Sequence, residues 1–184
     1  MPYNHLGLNL VVGRPDHHDV NPQRRTAFTL VELIAVIVVL AILAAVAVPK
    51  YYDYSTRARA SAICGTLKVM QRGILTYYQD NNLWPADVNP RICPPELTAY
   101  MEPGVWTDLT PVGTTYDYEN WTSPQWGWNT PVVGVSIRNG YGGALTSDAT
   151  QVIQMVDQQL DDGVTDTGNM RTVNYGYFFK VADQ

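Results

Sequence analysis

The most unusual chemical group in this sequence is a carboxylate inside a long apolar segment. Glu32 is the only charged residue between Phe28 and Val48. A carboxylate at the centre of a bilayer costs on the order of 2–3 kcal/mol or more, so such a group usually has a named partner. If the chain were cut before Phe28, the new α-amino group would lie four residues before Glu32. Within one helix the amine and the carboxylate would lie one turn apart, and in a stack of parallel helices the amine of one copy could meet the carboxylate of the next.

The residues needed for common nucleophilic catalysis are concentrated at the N-terminus. All three histidines, His5, His17 and His18, lie within residues 1–27. A product without that stretch has no imidazole for a Ser–His or Cys–His pair, or for a histidine metal site. We therefore predict that the protein is not an enzyme, and we expect no cofactor and no metal.

The two cysteines offer a second kind of chemistry. Cys64 and Cys93 are the only cysteines in the chain. In an oxidising compartment they could pair, closing a loop of about 30 residues that stabilises the fold by about 3 kcal/mol. The alternative is two separate buried thiols. Cys64 and Cys93 are therefore a candidate disulfide.

Acidic and aromatic residues in the second half admit catalytic or binding interpretations. Glu96 with Glu102, and Asp117 with Glu119, have the residue types used in glycoside hydrolysis, although scattered surface acids are the interpretation we favour. The tryptophans suit a sugar-stacking surface, but such residues more often fill a small core or line subunit contacts. They are Trp84, Trp106, Trp121, Trp126 and Trp128.

Four aspartates cluster late in the chain around a glycine turn. They are Asp157, Asp161, Asp162 and Asp166. Oxygen ligands beside a glycine turn are typical of calcium loops, but the spacing misses the EF-hand pattern. A helix end followed by a solvated turn explains the same residues, and no metal is assigned to them.

A long helix must position Glu32. The 21 residues from Phe28 to Val48 span roughly 30 Å as a helix, the thickness of the hydrocarbon core of a bilayer. Beyond Pro49 an apolar stripe recurs at helical spacing, which predicts an amphipathic helix to Asn82. The stripe comprises Ile63, Leu67, Met70, Ile74 and Tyr77.

The rest of the chain predicts a small antiparallel sheet with helical insertions. We expect a short helix in "PPELTAYM" and strands at Tyr116–Trp121, Val132–Arg138 and Val173–Val181. A further helix, capped by Ser147 or Asp148, should run to Leu160. The fold class is therefore α+β, with a long N-terminal helix packed on the sheet of a head.

The charge distribution argues against nucleic acid as a partner. The formal net charge is −5, with +1 on residues 1–27 and −6 on the remainder. Nucleic-acid affinity comes mainly from neutralising phosphates, and the sequence has no basic stripe.

The segment "AFTLVELIAVIVVLAILAAVAVP" resembles the N-terminal signal of type IV pilins and of the pseudopilins of type II secretion. In that family a prepilin peptidase cuts before the Phe and methylates its amine, and the Glu five residues into the mature chain guides subunit docking. The resemblance implies cleavage between Ala27 and Phe28, N-methylation of Phe28 and a subunit-assembly role for Glu32. Ala27 departs from the usual Gly at the cleavage position.

The resemblance also implies how the chain is divided and where it resides. Residues 1–27 would be the leader, 28–48 the transmembrane and filament-core half of the helix, 49–82 its amphipathic half, and 83–184 the head. The protein would cross the bacterial inner membrane once, with a periplasmic head, and later join a periplasmic filament. Its partners would be the prepilin peptidase, identical or related pilin-like subunits and an inner-membrane assembly platform.

The order of motifs in the head is similar to that of the major pseudopilin of type II secretion. These motifs are "NNLWPAD", "PPELTAY" and "TPVGTTYDYE". We therefore predict a structural subunit of a type II secretion pseudopilus that drives protein export. One alternative is a type IV pilus pilin for adhesion, motility or DNA uptake. Another is a monomeric, membrane-anchored binding module.

Overall fold

The fold was established from a computed structural model, which describes residues 28–122, 126–140 and 142–184. The predicted leader, residues 1–27, and with it the predicted cleavage residue Ala27, lies outside the described residues. The described chain divides into two units, residues 28–43 and a larger unit from residue 44 to residue 184. The first unit, where described, consists of the start of the long helix, and the second contains the remaining elements.

The first element is the helix α1, Leu30–Asn81, which begins two residues later and ends one residue earlier than predicted. Its buried residues include Ile63, Leu67, Met70 and Ile74, so the predicted apolar stripe is confirmed. Pro49 lies inside α1 and has no N–H, so the carbonyl four residues earlier accepts no helical hydrogen bond from it. Asn82 follows with a φ of 52°, the left-handed conformation that commonly ends a helix.

Four strands form one antiparallel sheet. They are β1 (Thr115–Trp121), β2 (Val132–Arg138), β3 (Met170–Val173) and β4 (Gly176–Asp183), in the spatial order β1-β2-β4-β3. The predicted bounds of β2 are confirmed, and β1 begins one residue earlier than expected. The last strand, predicted at Val173–Val181, is confirmed as β4, but it begins three residues later and ends two residues later than expected. Val173 belongs to β3 instead, because the chain turns at residues 174–175 and Val173 pairs with Gly176.

Three short helical segments complete the second unit. A 3₁₀ turn spans Pro95–Leu97, the helix α2 spans Gly104–Thr107, and the helix α3 spans Ser147–Leu160. The bounds of α3 agree with the sequence prediction, but the capping residue does not. Thr146 is the N-cap, and its side chain accepts a hydrogen bond from the Ala149 N–H.

The main core lies between one face of the sheet and the two longer helices. Leu67 and Met70 of α1 and Val152 and Val156 of α3 belong to the same buried cluster as the sheet residue Tyr118. Strand residues alternate between the two faces of a sheet, and the residues of this cluster occupy one of the two alternating sets. The second half of α1 is thus an integral part of the head.

The opposite face of the sheet has its own, smaller aromatic core. Phe178 stacks on Trp121, with ring centroids 4.2 Å apart, and meets Trp128 edge-on at 5.1 Å. Trp128 belongs to the connection between β1 and β2, so that connection covers the sheet. Both faces of the sheet are therefore buried by the chain itself.

Loops also occupy the outer edges of the sheet. On β1, the Tyr116 carbonyl accepts a hydrogen bond from the Arg91 N–H, and the Asn120 N–H donates to Asp87. On β3, the Thr172 N–H donates to the Thr165 carbonyl at 2.7 Å. A long helix followed by a four-stranded antiparallel sheet is a pilin-like α+β layout, so the predicted fold class is confirmed.

Candidate functional site

The first unit presents an apolar surface with no cover from the rest of the described chain. Every residue from Phe28 to Lys50 is exposed, including Leu30, Ile37 and Leu43. By length and composition this part of α1 could cross a membrane, and none of its apolar window is buried. Water is a poor solvent for such a surface, so lipid or another apolar helix must cover it.

Glu32 lies in the first turn of this helix and is held by Thr29. The Thr29 N–H and hydroxyl both donate to Glu32 Oε2, at 2.8 and 2.9 Å. In return, the Glu32 N–H donates to Thr29 Oγ1 at 3.2 Å. This reciprocal arrangement is a capping box, and it provides partners for two backbone N–H groups at the start of α1.

Thr29 was not among the site residues predicted from the sequence, although a signal was present. A Thr followed three residues later by Glu, just before an apolar run, is the sequence pattern of a capping box. The cap holds the carboxylate next to the positive end of the helix dipole, where a negative charge is favoured. Thr29 therefore fixes where the Glu32 charge lies.

The capping box leaves room for the predicted contact between copies. Thr29 engages only Oε2, and Oε1 forms no hydrogen bond with any residue in the described ranges. The cap supplies hydrogen-bond donors but no cation, so it does not neutralise the carboxylate. An amine from a neighbouring chain remains the predicted partner of the carboxylate. The cleavage between Ala27 and Phe28 and the methylation of Phe28 also stay predictions.

Both cysteines have free thiols in the structure. Cys64 is buried on α1, and its thiol lies 3.9 Å from the Val156 carbonyl of α3. Cys93 is half-buried in the loop region, and its thiol lies 3.4 Å from the Pro94 carbonyl. Burial raises the pKa of each thiol, which lowers its reactivity. The disulfide between Cys64 and Cys93 stays a prediction.

Three of the four clustered aspartates come together at the end of α3. Carboxylate oxygens of Asp157, Asp161 and Asp162 lie within 4.8 Å of one another, an all-oxygen set of the kind that hard cations prefer. Asp161 accepts hydrogen bonds from the backbone N–H groups of Asn169 and Met170, so it also fixes the loop before β3. That the cluster holds no metal ion stays a prediction.

Asp157 differs from its two neighbours because it is fully buried. Neither of its carboxylate oxygens has a hydrogen-bond partner among the described residues. Burial, together with the nearby charges of Asp161 and Asp162, raises the pKa of Asp157 to about 6.

Asp117 and Glu119, which the sequence suggested were surface acids, are buried on β1. Arg138 of β2 lies 2.6 Å from Asp117 and 3.7 Å from Glu119, and Glu119 also accepts hydrogen bonds from Ser136 and Tyr175. Burial raises the pKa of both carboxyl groups. The surface interpretation is wrong for this pair, because strand pairing brings Arg138 beside them.

The tryptophans are mainly structural. Trp106, Trp121 and Trp128 are buried, so the core interpretation is confirmed for these three. Trp84 is half-buried and stacks on Tyr78, with ring centroids 3.9 Å apart.

An ion pair fastens α3 to α1 near the start of the head. Arg59 of α1 donates two hydrogen bonds to the Asp148 carboxylate, at 2.6 and 2.9 Å. Tyr52 also donates to Asp148, at 3.3 Å. The Arg59 guanidinium holds the pKa of Asp148 below its ordinary value. The contact joins the start of α3 to α1 just beyond the apolar segment.

Comparison with known proteins identifies the N-terminal segment. A family model described as the prokaryotic N-terminal methylation motif matches residues 22–48. That range contains the predicted cleavage position, Phe28, Glu32 and most of the exposed apolar helix.

Curated relatives match a stretch of about one third of the chain. The chain is 40% identical over 65 residues to the fimbrial protein EcpC of Eikenella corrodens, which is 35% of this chain and 42% of that protein. It is 42% identical over 60 residues to the type IV major pilin protein PilE of Neisseria gonorrhoeae, 33% of this chain and 36% of that protein.

A fimbrial protein of Neisseria meningitidis serogroup A is 40% identical over 60 residues, 33% of this chain and 35% of that protein. The chain thus matches less than half the length of each of these relatives. No solved structure matches the chain significantly.

Proposed function

We propose that this chain, which carries the N-terminal segment of type IV prepilins, is a structural subunit of a filament assembled from the bacterial inner membrane. The observation that carries the proposal is the exposed apolar helix of residues 28–48 with one carboxylate, Glu32, in its first turn. Lipid can cover that surface around a single copy, and other helices can cover it in an assembly.

The proposed maturation begins with removal of residues 1–27. A prepilin peptidase cuts between Ala27 and Phe28 and methylates the new amine. The apolar half of α1 then holds the subunit in the inner membrane as a single span, with the head in the periplasm. An assembly platform in that membrane transfers the subunit to the filament.

Glu32 has an electrostatic role in this proposal. Its carboxylate pairs with the methylated amine of Phe28 on an adjacent subunit and sets the register of the parallel helices. Because a lone charged helix is costly in lipid and a paired one less so, the pair favours the assembled state. Thr29 supports this role by holding the carboxylate at the helix start.

Among pilin-like filaments, we propose a type II secretion pseudopilus that pushes folded cargo outward. The order of "NNLWPAD", "PPELTAY" and "TPVGTTYDYE" supports this assignment. The second candidate is a type IV pilus for adhesion, motility or DNA uptake. It is supported by the relatives that are named pilins and fimbrial proteins, although their similarity is limited to about one third of this chain.

Deletion of the gene separates the two candidates. A pseudopilus subunit is needed for protein export, so the deletion strain should retain secreted enzymes in the periplasm. A strain that exports normally but loses twitching motility or surface fibres would assign the protein to a pilus. Complementation with the wild-type gene is the control for effects on neighbouring genes.

Intact-mass measurement of the native protein tests the maturation step. We expect a chain that begins at Phe28 and carries one added methyl group. The same spectrum reports whether Cys64 and Cys93 have lost two hydrogens to a disulfide. A native chain that retains residues 1–27 would contradict the filament proposal.

A third candidate, a monomeric membrane-anchored binding module, makes a different prediction for Glu32. In a filament subunit, Glu32→Ala should reduce the assembled fraction at least tenfold and leave the melting temperature of the head unchanged. Glu32→Asp is the matched control for charge at this position. A wild-type protein that never assembles, yet retains a ligand through its head, would favour the monomeric module.

A further inference from the structure

A broad groove lies between the exposed side of α1 and the region around α2. Its volume is about 710 Å³. Gly65 and Val69 of α1 form one wall, and Glu102, Asp108 and Leu109 belong to the other. Val69 and Leu109 are about half exposed, so the groove has apolar walls that the described chain does not cover.

Gly65 has no evident role in the folded subunit. It lies inside α1, where glycine is less stable than alanine by about 0.8–1 kcal/mol. A Cβ atom at this position would meet no atom within 4 Å. The fold therefore does not require glycine here, but the missing side chain keeps the groove open for a bulky group from outside.

Tyr116 contributes a buried side chain to the lining of the groove and is only 3% exposed. Its hydroxyl lies beside Thr66 and is too deeply buried to be reached from the groove. The groove therefore offers an occupant mainly apolar side-chain surface.

The rim of the groove is acidic. Glu102 and Asp108 are both exposed, and neither belongs to any ion pair within residues 28–122, 126–140 and 142–184. An occupant with basic residues on both sides of an apolar or aromatic group would therefore suit this groove.

The chain itself carries such a surface one to two turns beyond the apolar segment. Lys50, Tyr54 and Arg57 lie at helical positions i, i+4 and i+7 and share one face of α1, on which the exposed Asp53 also lies. The face therefore carries two cations and one carboxylate, a net charge of +1. Tyr54 is 70% exposed, and neither cation forms an ion pair with a described residue. Tyrosine and arginine are the residue types most often found at the energetic centre of protein interfaces.

We propose that this groove receives the Lys50–Arg57 face of a second copy of this chain. Tyr54 of one copy enters above Gly65 of the other, and Lys50 and Arg57 pair with the acidic rim. The inference rests on the proposed filament function and adds the surfaces by which neighbouring heads join. It commits to a protein occupant and not to lipid headgroups, because the groove and its acidic rim match the cationic aromatic face.

The proposed contact fixes an approximate offset between parallel subunits. The groove residues of α1 extend from Ser61 to Val69, which is 7 to 15 residues beyond Tyr54. At 1.5 Å per residue, two docked helices would be displaced along their axes by roughly 10–23 Å. Copies related by such a shift can repeat the contact indefinitely, as a heterologous interface does in a filament.

Groove-filling and charge-reversal variants of the full-length protein test the proposal. Gly65→Leu should fold normally, because nothing lies near its Cβ, but should reduce the sedimentable, assembled fraction at least tenfold. Thr76→Leu, another exposed position on α1, is the matched control and should assemble like the wild type. The melting temperature of each purified variant verifies that the head remains folded.

Charge reversal adds a test of pairing. Arg57→Glu alone should also lower assembly about tenfold. Two double variants combine Arg57→Glu with Glu102→Lys or with Asp108→Lys. At least one of them should restore half or more of the wild-type assembled fraction. If Gly65→Leu assembles like the wild type, or if neither combination restores assembly, the docking proposal is overturned.

The remaining outcomes separate this proposal from the function on which it rests. A wild-type protein that does not assemble at all contradicts the proposed function. If the wild type assembles and the Gly65→Leu variant assembles equally well, only the docking proposal for the groove is contradicted. If Arg57→Glu weakens retention in anionic vesicles instead of assembly, the Lys50–Arg57 face binds lipid and the proposal is overturned.

Discussion

Thr29 and Glu32 form a hydrogen-bonded cap that orients a carboxylate in the first turn of an apolar helix. The threonine N–H and hydroxyl both bind the same carboxylate oxygen, and the helix dipole adds a favourable field. These contacts orient the charge without cancelling it. Glu32 is therefore ordered within a single copy of the chain, and its carboxylate remains available for the pairing proposed above.

Replacing Thr29 by valine tests the cap directly. Thr29→Val preserves the shape of the side chain but removes the hydroxyl, so the start of α1 should lose about 1 kcal/mol of local stability. Backbone amides of residues 30–33 should exchange hydrogen for deuterium about fivefold faster in detergent micelles. Thr29→Ser should behave like the wild type, and equal exchange in all three proteins would contradict the role of the hydroxyl.

Asp157 predicts an unusual dependence of stability on pH. Its pKa in the folded protein is about 6, above the ordinary value of 3.8, so folding favours the protonated carboxyl group. Well below the ordinary pKa of 3.8 the carboxyl group is protonated in both the folded and the unfolded state, so its ionisation does not lower the free energy of unfolding. As the pH rises from about 4 to about 6, the unfolded chain releases its proton first, so the free energy of unfolding falls.

Asp157→Asn removes the charge and should flatten that decline. At pH 7 and with a chelator present, we expect the variant to be more stable than the wild type by about 3 kcal/mol. Chemical denaturation at pH 4, 5, 6 and 7 measures the difference. A variant that is no more stable than the wild type at pH 7 in the presence of the chelator would contradict this expectation.

At the scale of elements, the sequence predicted the segments whose patterns are long or strongly periodic. The stripe from Ile63 to Ile74 repeats often enough to define one buried face of a helix. The hairpin of β3 and β4 was missed because its turn, residues 174–175, is Asn-Tyr and lacks the Asn-Gly pair that marks such turns. The alternating residues around it then read as one strand.

The buried ion pair of Asp117 and Arg138 could not be predicted for a different reason. The two residues are 21 positions apart and become neighbours only through the register in which Asp117 faces Ser136. No local pattern encodes that register. The Thr29–Glu32 cap, in contrast, is local and was readable from the sequence.

Two glycines make a matched pair for testing how elements pack. Gly134 lies on β2 beside an irregularity in its pairing, and a Cβ there would collide with the Phe179 carbonyl and the Phe178 ring. Gly134→Ala should therefore destabilise the head by about 1–3 kcal/mol. Gly65→Ala should instead stabilise it by up to about 1 kcal/mol, because the helix gains propensity and no neighbour is displaced.

Urea denaturation of both glycine variants distinguishes the two environments. Opposite signs of the change in the free energy of unfolding support the packing described for β2 and α1. A Gly134→Ala variant as stable as the wild type would show that the strand can move away from Phe178 at little cost.

At the scale of the whole molecule, the chain combines a self-contained head with a helix that cannot remain uncovered in water. The sequence predicted both parts, because an apolar run of 21 residues and a mixed, turn-rich remainder are distinct compositions. It could not predict the groove beside Gly65. That surface is formed by segments about 40 residues apart, and only folding brings them together.

The loops beside β1 and β3 bear on how the proposed filament would dissociate. Because Arg91 and Thr165 form hydrogen bonds with outward-facing backbone groups of these edge strands, the edges are less available for the strand pairing between copies that occurs in amyloid. Mild nonionic detergent should therefore dissociate the proposed filament into single, folded subunits that bind no thioflavin T. Fibres that resist such detergent and require harsh denaturants would mean that backbone pairing between subunits holds them.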